Sequence, residues 1–319
     1  MLEVELDIFS GMPNPNWVLS NRQEKTLLQL LSNEPSQASS VKLSGNRYGL
    51  GYRGLVIRHI KTDDGTWDAA ISKGQASFPN EFRVGIKPAT SDSAADWLLK
   101  TAMRQGVVLA DEIWEVVSRG VAVAPVTRGP RDPTAAIDRK RIEVPKIRAD
   151  VPYKPGVEPH ETWWACGSNY FTANAGVFNA PDHVLRNNCY CFASNHLADV
   201  RYALPGRRGG RPATSLTCGG VIDGLRADGW KDGCEPNALT IVMVIWPNFD
   251  YHFYRLVTGG PYWWWGHKPG GTPAKYTDDC GHAIYQYQGK GYAPNNICRG
   301  GYTEFCGYFY QNNWTAFVA

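Results

Sequence analysis

No stretch of this sequence is long and apolar enough to span a bilayer. The longest apolar run, Ala238 to Trp246 interrupted by Thr240, falls far short of the ~20 residues a membrane helix needs. Charge of one sign is also scarce. Lys and Arg number 33 against 30 Asp and Glu, a formal net charge of +3 with a pI near 8.3. Phosphate binding wants a concentrated basic face, so nucleic acid is not expected as a partner. Met1 to Asp7 are acidic and alternating, without the basic start and continuous apolar core of a signal peptide. Either the chain is made in the cytosol or a leader is removed ahead of it. No repeat recurs along the sequence, which argues against a solenoid or propeller.

What is present describes a folded protein. Apolar residues make up 43% and charged residues 20%, with a mean hydropathy of −0.36, so real cores are expected and a disordered tail protein is excluded. At 319 residues the chain exceeds the size at which single cores stop growing. Two domains are expected: an N-terminal α+β unit over 1–120, a Pro-rich linker or strap over 121–160, and a second α+β unit over 161–319. All 8 Cys fall in the last part, at 166, 189, 191, 218, 234, 280, 298 and 306.

In the N-terminal part, Leu2, Val4, Leu6 and Ile8 alternate with acids as a strand with one wet face does. Ser20 with Gln23 forms a capping box ahead of Leu27, Leu28, Leu30 and Leu31 at helical spacing. Tyr48–Ile60 and Thr66–Ser72 read as strands, and helices are expected from Ser93 and over Asp111–Arg119. No catalytic constellation stands out there. The basic cluster Arg139-Lys140-Arg141 is diluted by Asp138 and Glu143 and reads as a solvated linker.

The residues that point to chemistry lie further on. Asn187 or Asn188 caps a helix whose first turn carries Cys189, with Phe192, Leu197 and Val200 near helical spacing before Pro205-Gly206. The positive end of a helix and its unpaired N–H groups favour thiolate and can receive an oxyanion. Downstream, His252–Val257 and Tyr262–His267 are strand-like stretches joined by Thr258–Pro261. If Val257 faces Tyr262, then His252 faces His267 on one side of the sheet, Cβ atoms roughly 5 Å apart. A first-turn Cys, a strand His as base and a second polar residue to hold its tautomer are the parts of a thiol acyl-transfer site.

In this order of parts the region around 180–270 resembles the papain-like cysteine hydrolase superfamily, particularly its NlpC-like and CHAP amidase branches. Cys189-Tyr190-Cys191-Phe192-Ala193 is similar to the CHAP motif of Cys followed by aromatics and Ala, and His252 with His267 to the Cys-His-His version of the triad. Asn188 precedes the Cys where the NlpC-like branch carries Asp, and Tyr190-Cys191 follow in place of Ser-Gly. The resemblance implies a C-terminal papain-like α+β domain with an antiparallel sheet. It also implies a cysteine-nucleophile hydrolase or acyltransferase for amide or peptide-type bonds, needing no cofactor. Cys189 would attack, His252 would serve as base then acid, and His267 would orient it, with Asp279 as the alternative orienter. The substrate would be a peptide, peptidoglycan-like or acyl-amide compound held against Trp263, Trp265 and Tyr254, unless these large rings fill the core of the sheet, which is the plainer reading of them.

The alternative is a non-enzymatic, disulfide-rich secreted binding protein or toxin with an aromatic ligand surface. In it Cys189 would be disulfide-bonded and the same tryptophans would meet the ligand. A Gly-, Trp- and Tyr-rich sequence with an even number of Cys suits export, which tilts localisation toward secretion. If Cys189 is free, at least one more Cys must be unpaired. Structural zinc is not expected, because Cys189-x-Cys191 is the one tight Cys pair and zinc sites usually show two.

Overall fold

A computed structural model describes residues 1–41, 49–60, 78–87, 89, 92–121, 174–233, 235, 237–259, 262–287, 290–291 and 294–319. The expected strand at Thr66–Ser72 and the 122–160 part of the expected linker lie outside these residues.

The protein is α+β, with two antiparallel sheets among the described residues. The smaller sheet contains β1 (Leu2–Leu6), β2 (Asn16–Val18), β3 (Leu55–His59) and β4 (Glu81–Val84) in the order β2-β1-β3-β4. Its helices are α1 (Asn21–Asn33), α2 (Ala94–Arg104) and α3 (Asp111–Gly120). The capping box forms as the sequence predicts: Ser20 Oγ accepts from Gln23 N–H, and Gln23 Oε1 accepts from Ser20 N–H at 2.8 Å. β3 is much shorter than the expected Tyr48–Ile60 strand. Gly54 sits at φ +98°, and a Cβ there would meet the Val84 carbonyl oxygen at 2.7 Å, so the chain turns before β3 begins.

The larger sheet comprises β5 (Ala238–Trp246), β6 (Asp250–Gly259), β7 (Tyr262–His267), β8 (Tyr285–Tyr287), β9 (Lys290–Gly291) and β10 (Glu304–Asn312), in the order β10-β5-β6-β7-β8-β9. β5 lies inside this sheet and is buried along its whole length, as an apolar run broken only by Thr240 and covered on both faces must be. Its alternate side chains serve two cores. Ala238, Val242, Val244 and Trp246 pack in a cluster with Leu2, Val4, Leu27, Ile57 and Leu98 of the N-terminal part. Leu239, Ile241, Met243 and Ile245 pack on the other side with α5 (Cys189–Ala193) and α6 (Cys218–Ala227), while α4 (Ala175–Phe178) supplies Phe178. The six-stranded sheet is thus a middle layer, and residues from both sides of the 121–160 segment share one core.

The helix expected to run from Cys189 toward Pro205 stops after five residues. Asn195, just past the C-cap Ser194, adopts at φ 52° the left-handed conformation that ends a helix, and Asp199 at φ 53° turns the chain again further on, which the spacing of Leu197 and Val200 does not reveal. Among the described residues no helix is long and apolar enough to cross a membrane.

Candidate functional site

Cys189 opens α5 as its position in the sequence predicts. Asn188 is the N-cap: its Oδ1 accepts from Tyr190 N–H and Cys191 N–H, both at 3.2 Å, and its Nδ2 donates to the Ala203 carbonyl at 2.9 Å. Arg255 on β6 ties the other end of this helix to the sheet, donating to the Phe192 carbonyl at 2.6 Å with its guanidinium 4.3 Å from the Phe192 ring. Lys268, fully buried, spends its ammonium on the carbonyls of Val184, Asn187 and Gly270 at 2.6 to 2.7 Å, and so holds the approach to α5 in place. Burial pulls that ammonium down to about 7.

The thiol itself is closed in. Cys189 is fully buried and its S–H donates weakly to the Tyr251 carbonyl at 3.8 Å. Burial first, then the charge of Asp250, pushes its pKa well above the ordinary value. The expected activation is therefore reversed: a five-residue helix offers a small dipole, and the loss of water outweighs it. Cys191 is likewise a free, buried thiol, pushed up to about 11 by burial. The disulfide-bonded Cys189 of the alternative reading is absent too. The pairs that form among the described residues are Cys218–Cys306 and Cys280–Cys298, while Cys166 and Cys234 lie outside those residues.

The two histidines do meet. β6 and β7 pair two residues away from the expected register, with Gly259 opposite Tyr262 and Tyr254 opposite His267. Side chains in a strand alternate, so an even slip leaves His252 and His267 on one face. Nε2 of His252 lies 2.8 Å from Nδ1 of His267, and Nε2 of His267 lies 2.8 Å from the Thr277 carbonyl oxygen. A carbonyl can only accept, so His267 carries its proton on Nε2 and accepts at Nδ1 from His252 Nε2–H. This leaves His252 Nδ1 as a buried lone pair without a partner among the described residues. Burial drives both imidazoles well below their usual pKa, helped by His267 for His252 and by Lys275 for His267, so both are neutral.

The sheet separates sulfur from imidazole. Tyr251 and Phe253 project into the core that contains Cys189, whereas His252 projects with Tyr254 toward the N-terminal part, its ring 5.0 Å from Tyr254 and 5.8 Å from Tyr302. Cys189 and His252 approach β6 from opposite faces, because their spacing in sequence says nothing of which side of the strand the helix covers. Asp279 does not orient His252 either. Its carboxylate, pushed up to about 7 by burial, accepts from Leu50 N–H at 2.7 Å. The aromatic groove becomes core: Trp265 is fully buried, 6.0 Å from Tyr308, and Tyr254 stacks on His267 at 4.7 Å. The Trp263 side chain is outside the described set.

Sequence reasoning missed the polar groups of the N-terminal part. Burial alone would raise the Asp7 carboxyl, but Arg53 and Arg83 overcome this and hold it well below the usual carboxylate range. Asp250, the residue two before His252, accepts from the backbone N–H of Ser10, Gly11 and Met12 and from the Tyr302 hydroxyl. Burial raises it to about 6 against these donors. The signal in the sequence was a carboxylate opening a strand that pairs with the apolar run Ala238–Trp246, a buried position that demands donors from elsewhere.

No protein-family profile and no solved structure matches the chain. A curated protein does: insoluble matrix shell protein 1 of Ruditapes philippinarum, 39% identical over 126 residues, which is 39% of this chain and 78% of that protein. The chain belongs to that protein's family. The relative spans a minority of the present chain, so the shared portion is one part of a longer polypeptide.

Proposed function

We propose that this protein is a non-catalytic structural component of an insoluble extracellular matrix, braced internally by disulfides. The observation that carries the proposal is the placement of Cys189: buried, held as thiol, and divided from His252 by a β-sheet. A nucleophile needs access to substrate and a base within hydrogen-bond reach. The family relationship to an insoluble matrix shell protein supports the same reading. So do Cys218–Cys306 and Cys280–Cys298, bonds of oxidising compartments and hence of exported proteins.

The test is alkylation of the unreduced, folded protein near neutral pH, followed by mass mapping. Cys189 and Cys191 should stay unmodified until a denaturant is added, and the protein should remain in the residue left after aqueous extraction of its source tissue. A second reading rests on His252 Nδ1, an open acceptor whose other nitrogen is oriented by His267, as a general base requires. That reading is thiol hydrolysis or acyl transfer on a peptide, peptidoglycan-like or acyl-amide substrate, with sheet and α5 rearranged to bring Cys189 around. Rapid alkylation of Cys189 in the folded state would favour it over the matrix role.

A further inference from the structure

Outside the histidine pair, the loop over 278–282 and the neighbouring segment at Cys298 gather metal-ligating side chains of three kinds. Asp278, Cys280, His282 and Cys298 each place a ligand atom within 4.8 Å of the others. Cys280 and Cys298 are joined there as a disulfide. Hydrogen bonds hold the loop alongside that bond. Asp278 Oδ1 accepts from Cys280 N–H at 3.0 Å and His282 N–H at 2.8 Å, and Oδ2 accepts from Cys298 N–H at 3.1 Å. Backbone bonds from Asp278 N–H to the His282 carbonyl, Gly281 N–H to the Asp278 carbonyl and Asp279 N–H to the Cys298 carbonyl close the same turn. Gly281 at φ +83° bends the chain so that residues 280 and 282 face one point. Asp278 is buried, whereas Cys280 and His282 are exposed, so the anchor is inside and the ligands are reachable from solvent.

We propose that reduction of Cys280–Cys298 converts this loop into a site for one divalent cation of the zinc class, held by both sulfurs, a His282 ring nitrogen and Asp278 Oδ2. Two thiolates, an imidazole and a carboxylate oxygen are the donors such a borderline-soft, tetrahedral ion takes. Disulfide and cation exclude each other, because the same sulfurs serve both. A small thiol is the reductant. Its thiolate attacks the S–S bond to form a mixed disulfide, and a second equivalent releases the other sulfur. The small thiol leaves as its own disulfide, and Cys280 and Cys298 each gain a proton. Cation binding then displaces those two protons to solvent. Cys280 is exposed whereas Cys218 and Cys306 are both half-buried, and the sequence separation of 18 against 88 for Cys218–Cys306 constrains the unfolded chain less.

The test uses the full chain, reduced until mass mapping shows Cys280 and Cys298 as thiols, freed of small thiol under inert gas, and titrated with Co²⁺. The expected result is a thiolate-to-cobalt charge-transfer band with tetrahedral visible bands, saturating at one ion per chain and abolished by Zn²⁺. The oxidised protein should show none of these. Cys280→Ser/Cys298→Ser should lose the band, His282→Ala should bind at least about tenfold more weakly, and Cys218→Ser/Cys306→Ser should keep it. The absence of a thiolate band in the reduced wild type would overturn the proposal. So would a band that survives unchanged in Cys280→Ser/Cys298→Ser or in His282→Ala. Should the double serine variant lose its fold by circular dichroism, the exposed His282 variant decides alone.

Discussion

The imidazoles of His252 and His267 are neutral in the folded protein and bind protons near pH 6.5 once unfolded. Below that pH the unfolded state therefore holds one more proton per histidine, and the folding contribution of each falls as pH falls, by about 1.4 kcal/mol per pH unit. Asp250, raised to about 6, and Asp279, raised to about 7, act with the opposite sign, since the folded state takes up their protons first as pH drops toward about 4. The net slope is thus a difference of terms. Comparing wild type with His252→Gln isolates one of them: the glutamine can still donate to His267 Nδ1, but it does not titrate. In urea melts from pH 6.5 to 5, wild type should lose stability relative to the variant by about 1.4 kcal/mol per pH unit. A constant gap across that range would mean that His252 is protonated in the fold. At this scale the sequence was informative about which residues meet, since both histidines could be placed on one strand face by alternation alone. It was uninformative about the thiol, whose pKa depends on water that other segments exclude.

Asn188 illustrates what an element owes to distant chain. As an N-cap for α5 it was legible from the residue type next to a short apolar run, but its amide also bonds to Ala203, and the whole side chain is buried. Asn188→Ala should cost about 1 kcal/mol for the cap and a further ~1–3 kcal/mol for groups left unsatisfied in the interior. Ser20→Ala, at an exposed cap of the same kind, should cost no more than about 1 kcal/mol. Equal losses at the two sites in denaturant titrations would show that burial adds nothing to the cap. Element ends were the least legible features. Asn195 stops the helix by adopting left-handed backbone, and β6 and β7 pair two residues off the expected register. Neither error moved a side chain to the wrong face of its strand.

Across the whole molecule, the N-terminal sheet and the six-stranded sheet enclose one apolar cluster, and the Asp250 carboxylate collects backbone donors from Ser10 to Met12 some 240 residues away. Cys218–Cys306 adds a tie between α6 and β10 across 88 residues. Its removal in Cys218→Ser/Cys306→Ser should lower stability by about 4.5 kcal/mol on chain-entropy grounds, while calorimetry still shows one cooperative transition. Two separated transitions in that variant would mean the shared core does not couple the halves. Periodicity, caps and turn signals are local, and from them the sequence by itself determined the α+β class, the N-terminal helices and the placement of His252 and His267 on one face of a strand pair. Which side of that strand pair the Cys189 helix covers, and what lies over the other side, depend on contacts between residues hundreds of positions apart. Those contacts leave no periodic trace in the chain, so only the tertiary structure decided that the sulfur and the imidazole stand on opposite faces.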